Sequence, residues 1–200
     1  MKTNQKGRSM VEMLGVLAII GVLSAGGLAG YSKAMFRHRV NQTIDIFSQV
    51  LQRFSELEQK GFGNGVTILG SSDIIKYGIL PNCQIVNDED YWGESCQLPL
   101  GILNLQFNGT NNYINGEFVI SFFDKKSCVA FSSVGWENVI PVDWWNPLGY
   151  WSIGSKTLYD SNNVLGEGNI REVSISDIIE GCSECDGGRC VFWLAVHEEI

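Results

Sequence analysis

The chain has 200 residues, of which 44% are hydrophobic, and a formal net charge of −8 at pH 7. This length and apolar content are enough for one domain of ordinary size with a real core. The charge is uneven, because residues 61–200 hold six basic and eighteen acidic side chains. A surface of that sign repels phosphate backbones, so nucleic-acid binding by this part is not expected.

The first element is an apolar stretch that follows a basic leader. Nineteen residues from Met13 to Tyr31 carry no charge, and Glu12 is the lone acid at their start. At a rise of about 1.5 Å per residue, a helix of this length nearly crosses a bilayer core of roughly 30 Å. The stretch therefore predicts a membrane-inserted helix. Because an ionised carboxylate is costly to bury at its edge, Glu12 should have a neutralising partner.

The spacing of Gly7, Arg8 and Glu12 resembles the class III signal of type IV prepilins and pseudopilins. In that family a short basic leader, here with Lys2 and Lys6, ends in a glycine where a dedicated membrane peptidase cuts. The resemblance implies that the mature chain begins at Arg8, that its new amino group is methylated, and that Glu12 is its fifth residue. It also implies that Glu12 meets the amino terminus of an adjacent subunit during filament assembly. Arg8 departs from the family, which usually has an apolar first residue.

Two other interpretations of this stretch remain open. One is an ordinary secretory signal peptide, with Met13–Leu23 as its apolar region and Ser24–Gly26 as its cleavage site. Glu12 beside the apolar region, and a helical pattern that continues past the supposed cut, argue against it. The other is a plain single-span anchor, which explains the length of the stretch and leaves the spacing from Gly7 to Glu12 unexplained.

The second element is amphipathic. Its apolar residues recur at three- and four-residue steps, as on one face of a helix, and comprise Ile44, Phe47, Val50, Leu51, Phe54 and Leu57. No proline interrupts residues 8–60, so we predict one continuous helix of about fifty residues, roughly 80 Å long. Gly61 and Gly63 end it. Its apolar stripe should pack on the rest of the chain and leave the first half as a stalk.

Residues beyond the helix favour an antiparallel sheet. After a short capped helix at 71–77, four runs of alternating or strand-forming residues predict strands, at 103–107, 117–123, 173–175 and 191–196. The middle of the chain also loosely resembles type IVb pilins, in which a Trp-Gly turn precedes strands and a Cys-bearing segment; here these are Trp92-Gly93, 118–123 and Cys128–Ala130.

The predicted fold class is α+β, with a long N-terminal α-helix packed on an antiparallel β-sheet in a pilin-like roll. The helix is an apolar stalk followed by an amphipathic half. The predicted organisation is a leader at 1–7, a transmembrane and assembly helix at 8–31, the amphipathic half at 32–60, and a globular extracytoplasmic domain with disulfides at 61–200.

All six cysteines follow residue 80, in the part that the stalk would place outside the cytoplasm; they are Cys83, Cys96, Cys128, Cys182, Cys185 and Cys190. Disulfides are therefore expected, although six cysteines allow fifteen pairings. Closeness in sequence favours Cys83 with Cys96. Cys128 would then join one of the last three cysteines, and the other two would pair.

A structural zinc site is the alternative for the last three cysteines. Cys182, Cys185, Cys190 and His197 would supply three thiolates and an imidazole, a set that suits tetrahedral zinc. Their spacing is near that of a zinc knuckle, but the gap before His197 is too long.

Two further stretches have an ordinary and a functional interpretation. Trp136, Trp144, Trp145 and Trp151 are concentrated in one segment, where burial in the core competes with an exposed aromatic surface for glycans or a neighbouring subunit. A Gly-containing loop offers oxygen ligands for calcium, although such loops are usually only turns; its candidate ligands are Asp160, Asn162, Glu167 and Asn169.

The sequence contains no recognised catalytic motif, neither G-x-S-x-G nor a P-loop nor H-E-x-x-H, so neither an enzyme nor a cofactor is expected. The resemblance implies a structural subunit of a type IV pilus or pilus-like filament, with adhesion, motility, DNA uptake or secretion as its role. The alternatives are a pseudopilin or minor pilin of a type II secretion-like system, and a secreted soluble binding protein or enzyme.

The implied partners of a filament subunit are identical or related pilins, a prepilin peptidase, inner-membrane assembly machinery, and lipid before assembly. The implied location is the inner membrane for the precursor, with a cytoplasmic amino terminus and a single span. After assembly, the subunit would lie in an extracellular pilus or a periplasmic pseudopilus.

Overall fold

The structure is a computed structural model. It describes residues 10–59, 71–80, 83–88, 93–109, 113–136, 139–140, 150–154, 156–160, 173–186 and 190–199. The predicted processing site at Gly7 and Arg8 and the predicted helix end at Gly61 and Gly63 lie outside these residues.

The first element is helix α1, which runs without interruption over fifty residues, Met10–Gln59. The predicted continuous helix is therefore confirmed over this range. The chain divides into two compact units, Met1–Arg39 and Val40–Ile200. The second unit begins inside α1 rather than at residue 61, because side chains of the amphipathic half belong to its core.

The described residues of the second unit form a seven-stranded sheet and three shorter α-helices besides α1. The strands are β1 (Ile85–Asp88), β2 (Gly93–Gln97), β3 (Gly101–Gly109), β4 (Tyr113–Phe122), β5 (Tyr150–Ile153), β6 (Lys156–Asp160) and β7 (Cys190–Glu199). The helices are α2 (Ser71–Lys76), α3 (Lys125–Ser132) and α4 (Ile175–Gly181), and α4 continues into a 3₁₀ helix, Cys182–Asp186.

All strand pairs of the sheet are antiparallel, in the order β1-β2-β3-β4-β7-β5-β6. The first four strands form a meander, and the last strand of the chain lies between β4 and β5. Phe118 of β4 therefore pairs with Leu105 of β3 on one side and Leu194 of β7 on the other. This arrangement brings the carboxy-terminal strand into the centre of the sheet.

The strands predicted at 103–107, 117–123 and 191–196 correspond to β3, β4 and β7, and the short helix predicted from residue 71 corresponds to α2. The strand predicted at 173–175 is wrong, because α4 begins at Ile175. Ser174 is the N-cap of α4, and Asp177 completes a capping box. Reciprocal hydrogen bonds of this kind stabilise the start of a helix. Their effect outweighs the weak strand preference of the two alternating residues Val173 and Ile175.

The core lies between the amphipathic half of α1 and one face of the sheet. Phe47 makes edge-to-face ring contacts with Phe118 of β4 and Phe192 of β7, at centroid distances of 6.1 and 5.8 Å. Phe54 stacks on Phe107 of β3 at 4.3 Å. Burial of aromatic surface in these geometries is a major source of stability. The predicted fold class, a long helix packed on an antiparallel sheet, is confirmed.

The buried stripe of α1 agrees with the predicted one at four positions and differs at Ile44, and the side chain of the predicted residue Leu57 lies outside those described. Phe47, Val50, Leu51 and Phe54 are at most 3% exposed. Ile44 is half-buried, and a polar residue one position earlier, Thr43, is fully buried. Thr43 lies one helical turn before Phe47 and therefore on the same face, which the hydrophobic pattern alone does not indicate.

Candidate functional site

The amino-terminal half of α1 is apolar and exposed. Twelve large apolar side chains are each more than half exposed, namely Met10, Val11, Met13, Leu14, Val16, Leu17, Ile19, Ile20, Val22, Leu23, Leu28 and Tyr31. Among the described residues, α1 is the helix that is long and apolar enough to cross a membrane, and no part of its most apolar stretch is buried. Such a surface is far larger than the scattered apolar exposure of a soluble monomer.

Charged residues bound this apolar surface at both ends. Glu12 lies in the first turn of α1, where a negative side chain is favoured by the partial positive charge of the helix amino terminus. Lys33, Arg37 and Arg39 follow the apolar stretch and are exposed. The predicted residues Gly7 and Arg8 lie outside the described residues, which begin at Met10.

The first disulfide fastens one edge of the sheet. It joins Cys83, just before β1, to Cys96 in β2, with their Cα atoms 5.4 Å apart. This is the pair that closeness in sequence favours. Cys96 also pairs in register with Ile85, so the disulfide and the backbone pairing of β1 with β2 both connect the start of β1 to β2.

The other two disulfides form a cluster between α3, the 3₁₀ helix and the start of β7. Cys128 in α3 is bonded to Cys182, and Cys185 is bonded to Cys190, with Cα separations of 5.9 and 4.7 Å. The Sγ atoms of Cys128, Cys185 and Cys190 all lie within 4.8 Å of one another. Cys128, Cys182 and Cys190 are fully buried, whereas Cys185 is half-buried. We call these four residues the cysteine cluster.

The predicted zinc ligands are not brought together as a set. His197 lies seven residues beyond Cys190 on the same strand, where it pairs with Asn115 of β4. At the usual rise of an extended strand, the backbone of His197 lies about 23 Å from that of Cys190. A zinc ion, by contrast, needs each of its ligand atoms within about 2.3 Å of itself. His197 therefore cannot complete a site with the cysteines, and Cys128 occupies the position near them instead.

Two tryptophans of the aromatic segment belong to the core. Trp136 and Trp151 are at most 1% exposed, and the Trp136 indole Nε1 donates a hydrogen bond to the carbonyl of Phe131 at 2.9 Å. Trp144 and Trp145 lie outside the described residues. The candidate calcium ligands Asn162, Glu167 and Asn169 also lie outside them, while Asp160 is the last residue of β6.

A half-buried carboxyl group on the sheet is not indicated by any sequence motif. Glu117 lies in β4 between the buried residues Gly116 and Phe118, and it pairs with Gln106 of β3 and Ala195 of β7. Burial raises the pKa of the Glu117 carboxyl above its ordinary value. In the sequence, Glu117 is an acidic residue that alternates with apolar residues along a predicted strand. Such a pattern usually indicates a solvent-exposed side chain, so it does not predict the partial burial.

No protein-family model, curated protein or solved structure matches the chain. Function is therefore inferred from the chain's own residues.

Proposed function

We propose that the protein is a structural subunit of a type IV pilus or pilus-like filament, made as a single-pass membrane precursor and polymerised through α1. The observation that carries this proposal is the two-part character of one helix. Its amphipathic half contributes Phe47 and Phe54 to the core of the second unit, while its first half keeps twelve large apolar side chains exposed.

An all-round apolar helix in this position has two favourable environments. The first is lipid, since every backbone hydrogen-bonding group within a helix is satisfied internally and the side chains match the bilayer core. The second is a bundle of identical helices, which buries the same surface after the chain leaves the membrane. A filament subunit uses both in turn, and this accounts for the exposed apolar side chains of the first half of α1.

The charged residues support a defined position in the membrane. Lys33, Arg37 and Arg39 follow the apolar stretch at the level of lipid headgroups, where long basic side chains are favourable. We propose that cleavage after Gly7 gives a positive amino terminus at Arg8, and that Glu12 binds the amino terminus of a neighbouring subunit. Such a pair within an apolar bundle would set the axial register, because a mispaired charge there is costly.

The three disulfides support an extracytoplasmic location for the second unit, since such bonds persist mainly in oxidising compartments. We further propose that the role is mechanical or adhesive rather than catalytic and that no cofactor takes part. A pseudopilin or minor pilin would have the same helix, and copy number separates these from a major subunit, which dominates sheared surface filaments.

The test of processing is an intact-mass and amino-terminal peptide measurement on protein from membranes and from sheared surface material. A chain that begins at Arg8, with or without one added methyl group, is the expected result. A chain that begins near Gly27 would instead identify an exported soluble protein and contradict the proposal. The same measurement with reductant counts the disulfides.

The test of assembly is the substitution Glu12→Ala. We expect a stable membrane protein that forms few filaments, because the charge that pairs with the neighbouring amino terminus is lost. Asp45→Ala is the matched control, since it removes an exposed carboxylate of the same helix outside the apolar stretch, and it should leave filament number nearly unchanged. Normal filament number in Glu12→Ala cells would contradict the assigned role of Glu12.

A further inference from the structure

We propose that the cysteine cluster is a tetrathiolate zinc site when its two disulfides are reduced, with Cys128, Cys182, Cys185 and Cys190 as the four ligands. The proposal concerns the second unit alone and is independent of filament assembly. It differs from the zinc site considered from sequence, because Cys128 from α3 replaces His197 as the fourth ligand.

The distances between the sulfur atoms are close to those in a tetrahedral zinc coordination sphere. Tetrahedral zinc holds thiolates at about 2.3 Å, which places neighbouring sulfur atoms roughly 3.8 Å apart. The Sγ atoms of Cys128, Cys185 and Cys190 lie within 4.8 Å of one another, and Cys182 Sγ is bonded to that of Cys128. Three of the four sulfurs therefore lie close to one another, and in the proposed site Cys182 Sγ joins them once its bond to Cys128 Sγ is reduced.

The backbone holds the ligands from three elements. Cys182 and Cys185 are three residues apart in the 3₁₀ helix, and a 3₁₀ helix has three residues per turn, so both project from the same side. Cys128 comes from α3, and Cys190 is the first residue of β7. A pair of cysteines with two residues between them, completed by more distant ones, is a common arrangement in structural zinc sites.

Burial and local charge favour bound thiolates. Cys128, Cys182 and Cys190 are fully buried, which excludes water from the ion, whereas the half-buried Cys185 gives a path for its entry. One zinc ion with four thiolates has a net charge of 2 − 4 = −2. Cys128 lies in the first turn of α3, near the positive end of that helix, and Lys125 and Lys126 lie three and two residues before it, so both features offset this charge.

The chemistry has two balanced steps. A trialkylphosphine attacks one sulfur of each disulfide and, with one water molecule, becomes the phosphine oxide, so that each disulfide gains two electrons and two protons and yields two thiols. Zinc then replaces the four thiol protons, which pass to solvent. In the oxidised protein all four sulfurs are bonded in pairs and no thiolate is present to bind zinc.

The experiment uses the full chain in detergent, reduced by a trialkylphosphine in the presence of excess Zn²⁺ and then freed of unbound metal. Bound zinc is measured by elemental analysis, cobalt substitution reports thiolate coordination by its absorption spectrum, and circular dichroism reports folding. We expect one zinc per reduced, folded chain and none on the oxidised chain. Reoxidation should release the metal.

Three variants identify the ligands. Cys128→Ser should weaken zinc binding at least about tenfold, because one of four thiolates is lost. Cys83→Ser with Cys96→Ser, outside the cluster, and His197→Ala should each bind as the wild type does. A reduced chain that binds no zinc or unfolds in its presence would overturn the proposal. So would loss of binding in His197→Ala, or undiminished binding in Cys128→Ser.

Discussion

Phe47 of α1 makes ring contacts with four aromatic residues of the core. Besides its contacts with β4 and β7, its ring lies 5.5 Å from that of Phe131 in α3 and 5.1 Å from that of Trp136. These edge-to-face arrangements join the helix, the sheet and α3 at one point. Their convergence on one side chain makes the position sensitive to any loss of volume.

Phe47→Ala should lower the free energy of unfolding by about 3–5 kcal/mol, because the removed ring leaves a cavity among side chains held by other elements. Chemical denaturation followed by near-ultraviolet circular dichroism measures this change. Asp45→Ala, on the exposed face of the same helix, is the control and should change stability by less than about 0.5 kcal/mol. Equal stabilities of the two variants would contradict the assigned core.

Glu117 makes stability depend on pH. Its folded pKa is raised by burial, so the folded state retains a proton at pH values where the unfolded state has lost it. The free energy of unfolding should therefore fall as pH rises from the ordinary glutamate pKa, about 4.3, through the raised folded value. The charged carboxylate is the destabilising form, so the loss of stability is complete only above the raised folded pKa.

Glu117→Gln should remove that dependence and raise stability at pH 7 relative to the wild type, with little difference at pH 4. Denaturation midpoints measured for both proteins from pH 4 to pH 8 test this prediction. Asp45→Asn, which neutralises an exposed carboxylate, serves as the control and should leave the shape of the profile nearly unchanged. A constant difference between Glu117→Gln and wild type at all pH values would contradict the assignment.

Gly181 permits a close approach between α4 and β5. A Cβ atom at this position would lie 2.6 Å from the carbonyl oxygen of Ile153 and 3.0 Å from its Cβ, and the backbone of β5 fixes both of these atoms. Gly181→Ala should therefore destabilise the protein by about 1–3 kcal/mol. Thermal denaturation compares it with Ile179→Ala, which changes an exposed residue of the same helix and should have a small effect. Similar losses in both variants would argue against the steric reason.

At the scale of elements, the disulfides close loops of very different length. Cys128 and Cys182 are 54 residues apart, whereas Cys83 and Cys96 are 13 apart. The longer loop restricts the unfolded chain more, so its bond should contribute more to stability. In the chain-entropy treatment the two contributions are about 4 and about 3 kcal/mol.

Replacing each pair by serine tests this order. The double variant at Cys128 and Cys182 should lose about 1 kcal/mol more stability than the double variant at Cys83 and Cys96. Denaturant unfolding under non-reducing conditions gives both values. The reverse order would mean that the bond between β1 and β2 at the sheet edge contributes more to the free energy of unfolding than loop length predicts.

At the scale of the whole molecule, the compact second unit begins within α1. Residues 40–200 should therefore fold without the preceding apolar half and remain monomeric in water, because they retain Phe47, Val50, Leu51 and Phe54. Residues 56–200, which lack this stripe, should aggregate or stay unfolded, since one face of the sheet would lose its cover. Circular dichroism and gel filtration of the two fragments test the prediction. Folding of the shorter fragment would contradict it.

The features of α1 could be predicted from sequence because they depend on residues close together in the chain. The continuity of α1, its apolar half and its amphipathic stripe follow from periodicity and from the absence of proline, which depend only on neighbouring residues. Strands β3, β4 and β7 carry the same kind of local signal. The chain fails to follow it at 173–175, where the side chains of Ser174 and Asp177 close a capping box and start a helix.

Other features required the tertiary structure because they depend on residues far apart in the chain. Sequence by itself determined that one long helix has two different surfaces and that six cysteines lie beyond it. Only the fold decided that β7 enters between β4 and β5, which brings Cys190 beside Cys128 and carries His197 away from both. It also decided the partial burial of Glu117, since desolvation is set by what packs around a side chain and not by its neighbours in sequence.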